Sequence, residues 1–285
     1  MYPDWYIHDG IGAHFMAYCP VRPFRRVLQQ LDRLAHLTIA SPSHILDLIL
    51  DDLAVPFRLH TFIHTHVQLS TPLLRFLEQQ PSIVRLGWHG WISVSDARDL
   101  GHSIQENPGL LPKLEALEGS IRALGALTPR RPVSNITILH RPVSFLPEIP
   151  QALSHTLVPT TCLCVVDFDM EARWINTIVK LRQKCALDGL KVLRVVITTK
   201  PDVEDDMVRN NGRVWDHLPE DLPFDFLRFN ALEKFEVTLD RSENHEPLSW
   251  GIHEWLAFHK MDCLPSWRAF NPSLRTVVLW GHVIP

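Results

Sequence analysis

Thr71-Pro72-Leu73-Leu74-Arg75-Phe76-Leu77-Glu78-Gln79-Gln80-Pro81-Ser82-Ile83-Val84-Arg85-Leu86-Gly87-Trp88 sets a helix signal directly before a strand signal. Thr71 reads as an N-cap, and Pro72 as the first helical residue, where a missing N–H costs nothing. Leu73, Leu74, Phe76 and Leu77 supply an apolar face, Arg75 and Glu78 are left to solvent, and Pro81 stops the helix. Ile83, Leu86 and Trp88 then give the pattern Leu-x-x-apolar-x-apolar, whose last two apolar residues alternate as a strand requires.

The same pattern recurs on both sides. Before it stand Leu34–Leu37–Ile39 and Leu59–Phe62. After it come Leu114–Leu117, Val133–Ile136–Ile138, Leu163–Val166–Phe168, Leu190–Leu193–Val195, Leu232–Phe235–Val237 and Leu274–Val277–Leu279. The middle residues are separated by 25, 24, 31, 19, 30, 27, 42 and 42 positions. Two runs lack the final apolar residue, having His64 and Gly119 there. Between runs, Ser43 to Asp52 repeats the helix design, with Ser43 as cap and Ile45, Leu46, Leu48 and Ile49 on one face. Glu171 to Leu187 and Trp250 to Lys260 read as further amphipathic helices. One such unit cannot bury its own apolar face, so neighbours must stack and share a core.

The predicted fold is therefore α/β: a leucine-rich-repeat-like solenoid, with a curved parallel sheet on the concave face and helices on the convex face. Most spacings match the roughly 20–29 residues of such repeats. Residues 1–30 are assigned to an N-terminal cap or arm. Residues 31–285 form the solenoid of about nine strand units, with longer insertions near 199–230 and 240–272.

Composition narrows the function. Of 285 residues, 46% are hydrophobic, enough for a large core, and 28 Lys+Arg against 32 Asp+Glu leave a net charge of −4. A general nucleic-acid binder carries a basic excess, so no nucleic-acid partner is expected. No stretch reaches the roughly 18 apolar residues of a membrane helix, and the N-terminus has no signal-like pattern. Five cysteines, Cys19, Cys162, Cys164, Cys185 and Cys263, are odd in number and sparse. The expectation is a cytoplasmic or nuclear protein with reduced thiols and no membrane contact. Asn135-Ile136-Thr137 matches a glycosylation sequon but lies in a strand-like run.

Leu73 to Ile83 resembles the helix-to-strand unit of the irregular leucine-rich-repeat proteins of mushroom-forming fungi, many of which carry an F-box. Leu111-Pro112-Lys113-Leu114-Glu115-Ala116-Leu117 with Arg130 to Ile138, and Asn271 to Leu279, are similar signature stretches. The resemblance spans about residues 24–281. It implies the substrate-binding part of an F-box type ubiquitin-ligase receptor. An F-box would be a separate helical unit of roughly 40–50 residues, and the first run already begins near Leu34. Ile45 to Leu53 has a faint F-box look but reads as the first solenoid helix. Docking to a ubiquitin-ligase adaptor thus requires an F-box supplied elsewhere.

Catalytic motifs are missing. Gly10-Ile11-Gly12-Ala13-His14-Phe15 starts a dinucleotide fingerprint and fails at Phe15; there is no Walker A loop, no Gly-x-Ser-x-Gly elbow and no HExxH. Among sixteen histidines, His60, His64 and His66 are the tightest group. On one strand face, joined by Asp167 and Asp169, they would make a metal- or thiol-dependent hydrolase the alternative, with Cys162 and Cys164 as the thiol version. Asp202 to Asp206 reads as a solvated acidic insertion, and Arg130, Arg131 and Arg141 as a small basic patch. Trp88, Trp91, Trp215, Trp250, Trp255, Trp267 and Trp280 would pack between repeats, with one or two left to anchor a partner.

The leading expectation is a non-enzymatic protein-recognition module without catalytic residue, cofactor or metal. The polar positions beside each middle apolar residue point away from the core. They nominate His36, Thr38, Thr61, Arg85, Glu118, Asn135, Thr137, Asp167, Arg194, Lys234, Glu236 and Thr276 as contacts to a protein partner.

Overall fold

Each apolar run becomes a short strand because its backbone meets the same corner. In the computed structural model, the Ala35 carbonyl accepts the N–H groups of both His60 and Thr61, at 2.7 and 3.0 Å. His60 does the same for Val84 and Arg85, Val84 for Glu115 and Ala116, and Glu115 for Ser134 and Asn135. Further on, Thr161 serves Lys191 and Val192, Lys191 serves Glu233 and Lys234, and Glu233 serves Arg275 and Thr276. One carbonyl satisfying two donors at each of these seven strand starts sets the register of its neighbour.

The structure describes residues 7–8, 12–16, 21–65, 69–90, 92–139, 156–167, 182, 187–198, 229–240, 256–257, 260–279 and 281–285. The chain divides into two compact units, one of residues 1–135 with 151–158, the other of residues 136–150 with 159–285.

In the N-terminal unit, β1 (Ile7–His8) pairs antiparallel with β2 (Gly12–Met16). Then β2, β3 (His36–Ala40), β4 (Thr61–His64), β5 (Arg85–Trp88) and β6 (Ala116–Gly119) pair parallel in chain order. The intervening helices are α1 (Val21–Gln30), α2 (Ser43–Leu50), α3 (Thr71–Glu78), α4 (Val94–Glu106) and α5 (Ile121–Leu127). Strand β7 (Asn135–Leu139) straddles the division. In the C-terminal unit, β8 (Cys162–Asp167), β9 (Val192–Thr198), β10 (Lys234–Asp240) and β11 (Thr276–Leu279) pair parallel in chain order. Helix α6 (Leu264–Arg268) precedes β11, and β12 (His282–Val283) returns antiparallel through Gly281, whose φ of 86° suits glycine. The protein is thus α/β with a mostly parallel arrangement of strands. No helix among the described residues is long and apolar enough to cross a membrane.

A tight turn precedes five of the strands: Ile83 donates to Gln80, Leu114 to Leu111, Leu190 to Leu187, Leu232 to Phe229 and Leu274 to Asn271. The residue opening the turn is buried in every case. Where it is polar, its side chain replaces the lost water. Gln80 accepts from the Leu59 N–H at 2.8 Å and donates to the Phe57 carbonyl at 3.4 Å. Asn271 donates to the Phe229 carbonyl at 2.8 Å and accepts from the Ser273 N–H at 3.0 Å. Both amides stitch one turn to the preceding one, which accounts for buried polar side chains in an apolar layer.

Several details differ from the sequence reading. Ser70, not Thr71, caps α3, its Oγ accepting the Leu73 N–H. Pro42 occupies the cap of α2, with no side-chain bond, and Leu48 is 53% exposed while Leu46, Ile49 and Leu50 are buried. The α2 face turns by about one residue relative to the expected one because Leu50, not Ile45, continues the Leu46–Ile49 stripe. Ser93 and Ser120 cap α4 and α5 through the N–H groups of Asp96 and Ala123. Strand β2 lies within the segment assigned to an N-terminal arm.

One run is shifted by three residues. Leu163 pairs with Leu193 and Val165 with Val195, so the eighth strand reads Thr160–Leu163–Val165, all buried. Asp167 therefore sits at the end of β8 opposite Ile197, not beside a middle residue. A buried threonine at the first position hid the pattern. The expected helices over 171–187 and 250–260, apart from Arg182, Leu187, Leu256, Ala257 and Lys260, lie outside the described residues, as do the acidic run 202–206, His66, Asp169, Arg141, Trp91, Trp215, Trp250, Trp255 and Trp280, and the Asp167 side chain. The 199–230 and 240–272 insertions do so for the most part, Phe229, Asn230, Asp240, Leu256, Ala257 and residues 260–272 being described. Of the tryptophans described, Trp88 and Trp267 are core residues.

Candidate recognition surface

Strand alternation separates two faces. Leu37, Ile39, Phe62, Leu86, Trp88 and Leu117 are buried, while the residues between them form rows across the N-terminal unit. One row, in Cα register, is His36, Thr61, Arg85 and Ala116; the next is Thr38, Ile63, Gly87 and Glu118. His36 and Arg85 are exposed, and Thr38, Thr61 and Glu118 are half-buried. Asn135 is exposed and Thr137 half-buried on β7. In the C-terminal unit the rows are Cys162, Val192, Lys234, Thr276 and Cys164, Arg194, Glu236, Val278. Every nominated residue whose side chain is described thus keeps some contact with solvent.

Charge is organised around two recessed carboxylates. Glu118, whose side chain is 17% exposed, accepts from His89 Nε2 at 2.8 Å and from Arg85 Nη2 at 3.2 Å. The His89 hydrogen bond chiefly holds the Glu118 carboxyl below its ordinary range; burial opposes this, and Arg85 adds to it. Glu236, also 17% exposed, takes Lys234 Nζ at 2.8 Å, with Arg194 Nε 3.7 Å away.

His89 escaped the sequence rule, which looked only beside the middle residue, and Gly87, though next to Leu86, is not a polar residue. Continuing the alternation from Arg85 through Gly87 to His89 would have found them. The glycine is needed for space: a Cβ on Gly87 would lie 2.9 Å from Ile63 Cγ2 and 3.2 Å from His89 Nε2.

The Glu118 pairing carries a pH dependence with a definite sign. A carboxylate whose folded value is depressed contributes stability above its unfolded value, about 4.5, and loses it as pH falls through the lower folded value. Glu118→Gln is therefore expected to be less stable than wild type at neutral pH, with the gap closing on acidification below about 4.5. Urea denaturation of both proteins across that range checks it.

Of the histidine group, His60 and His64 are described, and they do not converge. His64 points into the core, 0% exposed, with its ring 5.2 Å from Phe62 and 4.5 Å from Trp88. His60 precedes β4, is exposed, and meets His36 edge-on at 6.1 Å. The strand begins only at Thr61, so alternation does not carry His60 onto the His64 face. Among the described residues, no group of three or more His, Cys, Asp or Glu is placed to hold a metal ion. Cys162 and Cys164 share the outward face of β8, and burial pushes the Cys162 thiol up, against only partial opposition from Arg194 and Lys234. A thiol held protonated is a poor nucleophile. The expected basic patch also dissolves: Arg130 is exposed, but Arg131 is buried against carbonyls.

No protein-family model matches the chain. No curated protein matches it either.

Proposed function

We propose that the protein is a non-enzymatic recognition module, a leucine-rich-repeat-like solenoid that binds a protein partner through the outward face of its parallel strands. It would act as the substrate-binding part of an F-box type receptor does, with adaptor docking dependent on an F-box supplied elsewhere. The observation that carries the reading is the pair of solvent-contacting rows in each unit. Adjacent parallel strands set His36, Thr61 and Arg85, and likewise Cys164, Arg194 and Glu236, side by side in register. Recurring corner hydrogen bonds, spaced as the apolar runs are, support the repeat character. Rigid strands hold such side chains at fixed spacing, which favours selectivity for one partner over chemistry. The test is affinity capture from native extract with wild type and with Thr61→Arg/Arg85→Glu, scored for a partner and for a ubiquitin-ligase adaptor. A partner lost by the variant supports the reading; equal capture by both counts against it.

A further inference from the structure

The two recessed carboxylates differ in what they leave over. In the N-terminal unit, Glu118 hydrogen-bonds with both of its partners, Arg85 and His89. In the C-terminal unit, one carboxylate faces two permanent cations. Glu236 lies low, 17% exposed, whereas Arg194 and Lys234 stand out at 47% and 40%. The 3.7 Å separation of Arg194 Nε from Glu236 is too long for a hydrogen bond, so the two form an ion pair that leaves the guanidinium's hydrogen-bonding donors open toward solvent. The other described side chains of these rows, Cys162, Cys164, Val192, Thr276 and Val278, bring no negative charge.

We infer that the outward face of strands β8 to β11 binds an acidic peptide segment, with Arg194 and Lys234 taking its carboxylates. The inference rests on the recognition reading above and adds the partner's chemistry. A guanidinium takes a carboxylate through two parallel N–H bonds, and an ammonium beside it adds a point charge, which together favour Asp- or Glu-rich chain. Glu236 lies lower than both cations and repels a carboxylate that settles too deep, so contact falls on the cationic tips.

Fluorescence anisotropy of the full chain with fluorescein-labelled hexaglutamate and hexalysine tests this. Hexaglutamate is expected to bind, more weakly as salt rises, and hexalysine is not. Arg194→Glu/Lys234→Glu should lose at least about tenfold in hexaglutamate affinity and gain for hexalysine. Arg194→Gln/Lys234→Gln, which removes the charges without adding repulsion, should lose hexaglutamate binding as well. Bound hexaglutamate should also shield Cys164 from iodoacetamide while Cys263 still reacts, as read by mass spectrometry. Absence of hexaglutamate binding, unchanged affinity in both variants, or unshielded Cys164 would overturn the inference. A native partner found on these strands through neutral or basic residues would do so too, yet leave the recognition reading standing.

Discussion

Replacing Arg131 with methionine is expected to lower the unfolding free energy by about 3 kcal/mol. Arg131 is 3% exposed, and its guanidinium donates to the carbonyls of Leu110 at 2.9 Å, Ile104 at 3.2 Å and Asn107 at 3.3 Å. Ile104 lies in the last turn of α4 and Asn107 is its C-cap, so these are carbonyls that the helix itself leaves without partners. A cation at a helix C-terminus is also favoured by the dipole. Burial, aided by Arg130, pulls the guanidinium below its usual value, but Arg stays charged in water-accessible pH. Methionine would fill the stem's volume and abolish the cost of burying a charge. It would also strand the Leu110 and Ile104 acceptors at roughly 1–3 kcal/mol each, while the Asn107 carbonyl keeps the Leu110 N–H, and that loss is the larger. Arg131→Lys should fall between, since an ammonium lacks the fork that spans three carbonyls. Urea denaturation reads both variants, and a methionine variant within about 1 kcal/mol of wild type would refute the account.

Trp88→Ala should be at least as damaging, at about 3–5 kcal/mol. The side chain is fully buried, and its register neighbours are His64 on β4 and Gly119 on β6. Gly119 lies close against the Trp88 backbone, where a Cβ would meet the Trp88 carbonyl oxygen at 2.9 Å. Alanine would open a cavity that neither His64 nor a glycine can fill. Trp88→Phe should cost much less, because among the described residues the indole N–H has no acceptor and phenylalanine discards that donor. Thermal melts of the two variants separate cavity from polarity: equal losses would contradict this packing argument.

The same pair explains what the sequence made legible. The two runs that broke the apolar pattern, ending in His64 and Gly119, flank Trp88 in register, His64 ring against indole and Gly119 against its backbone. Spacing located β3 to β7 and β9 to β11, since each buries the first and middle residues of its run against the core. It misplaced β8 because Thr160 holds the first position, and apolar Val166 offered a rival register three residues away. It assigned β2 to an arm because Gly12 to Met16 carries no leucine pattern. Ser93 and Ser120 cap helices that lie outside the stretches the sequence pattern marks as helical. Arg131 looked like surface charge, since nothing in an Arg130-Arg131 pair reveals which guanidinium meets helix carbonyls. At the candidate surface, alternation gave the outward positions, but the Glu118–His89 contact needed β5 to be followed one step past its end.

The central claim is recognition through the outward strand face. Its most direct measurement is hydrogen exchange and cross-linking mass spectrometry on the complex with a partner captured from native extract. The account predicts cross-links at Lys234 and slowed exchange in β4 and β5 or β9 and β10, while α3 to α5 exchange as in the free protein. Protection confined to those helices, or a bound molecule that the protein turns over chemically, would contradict it.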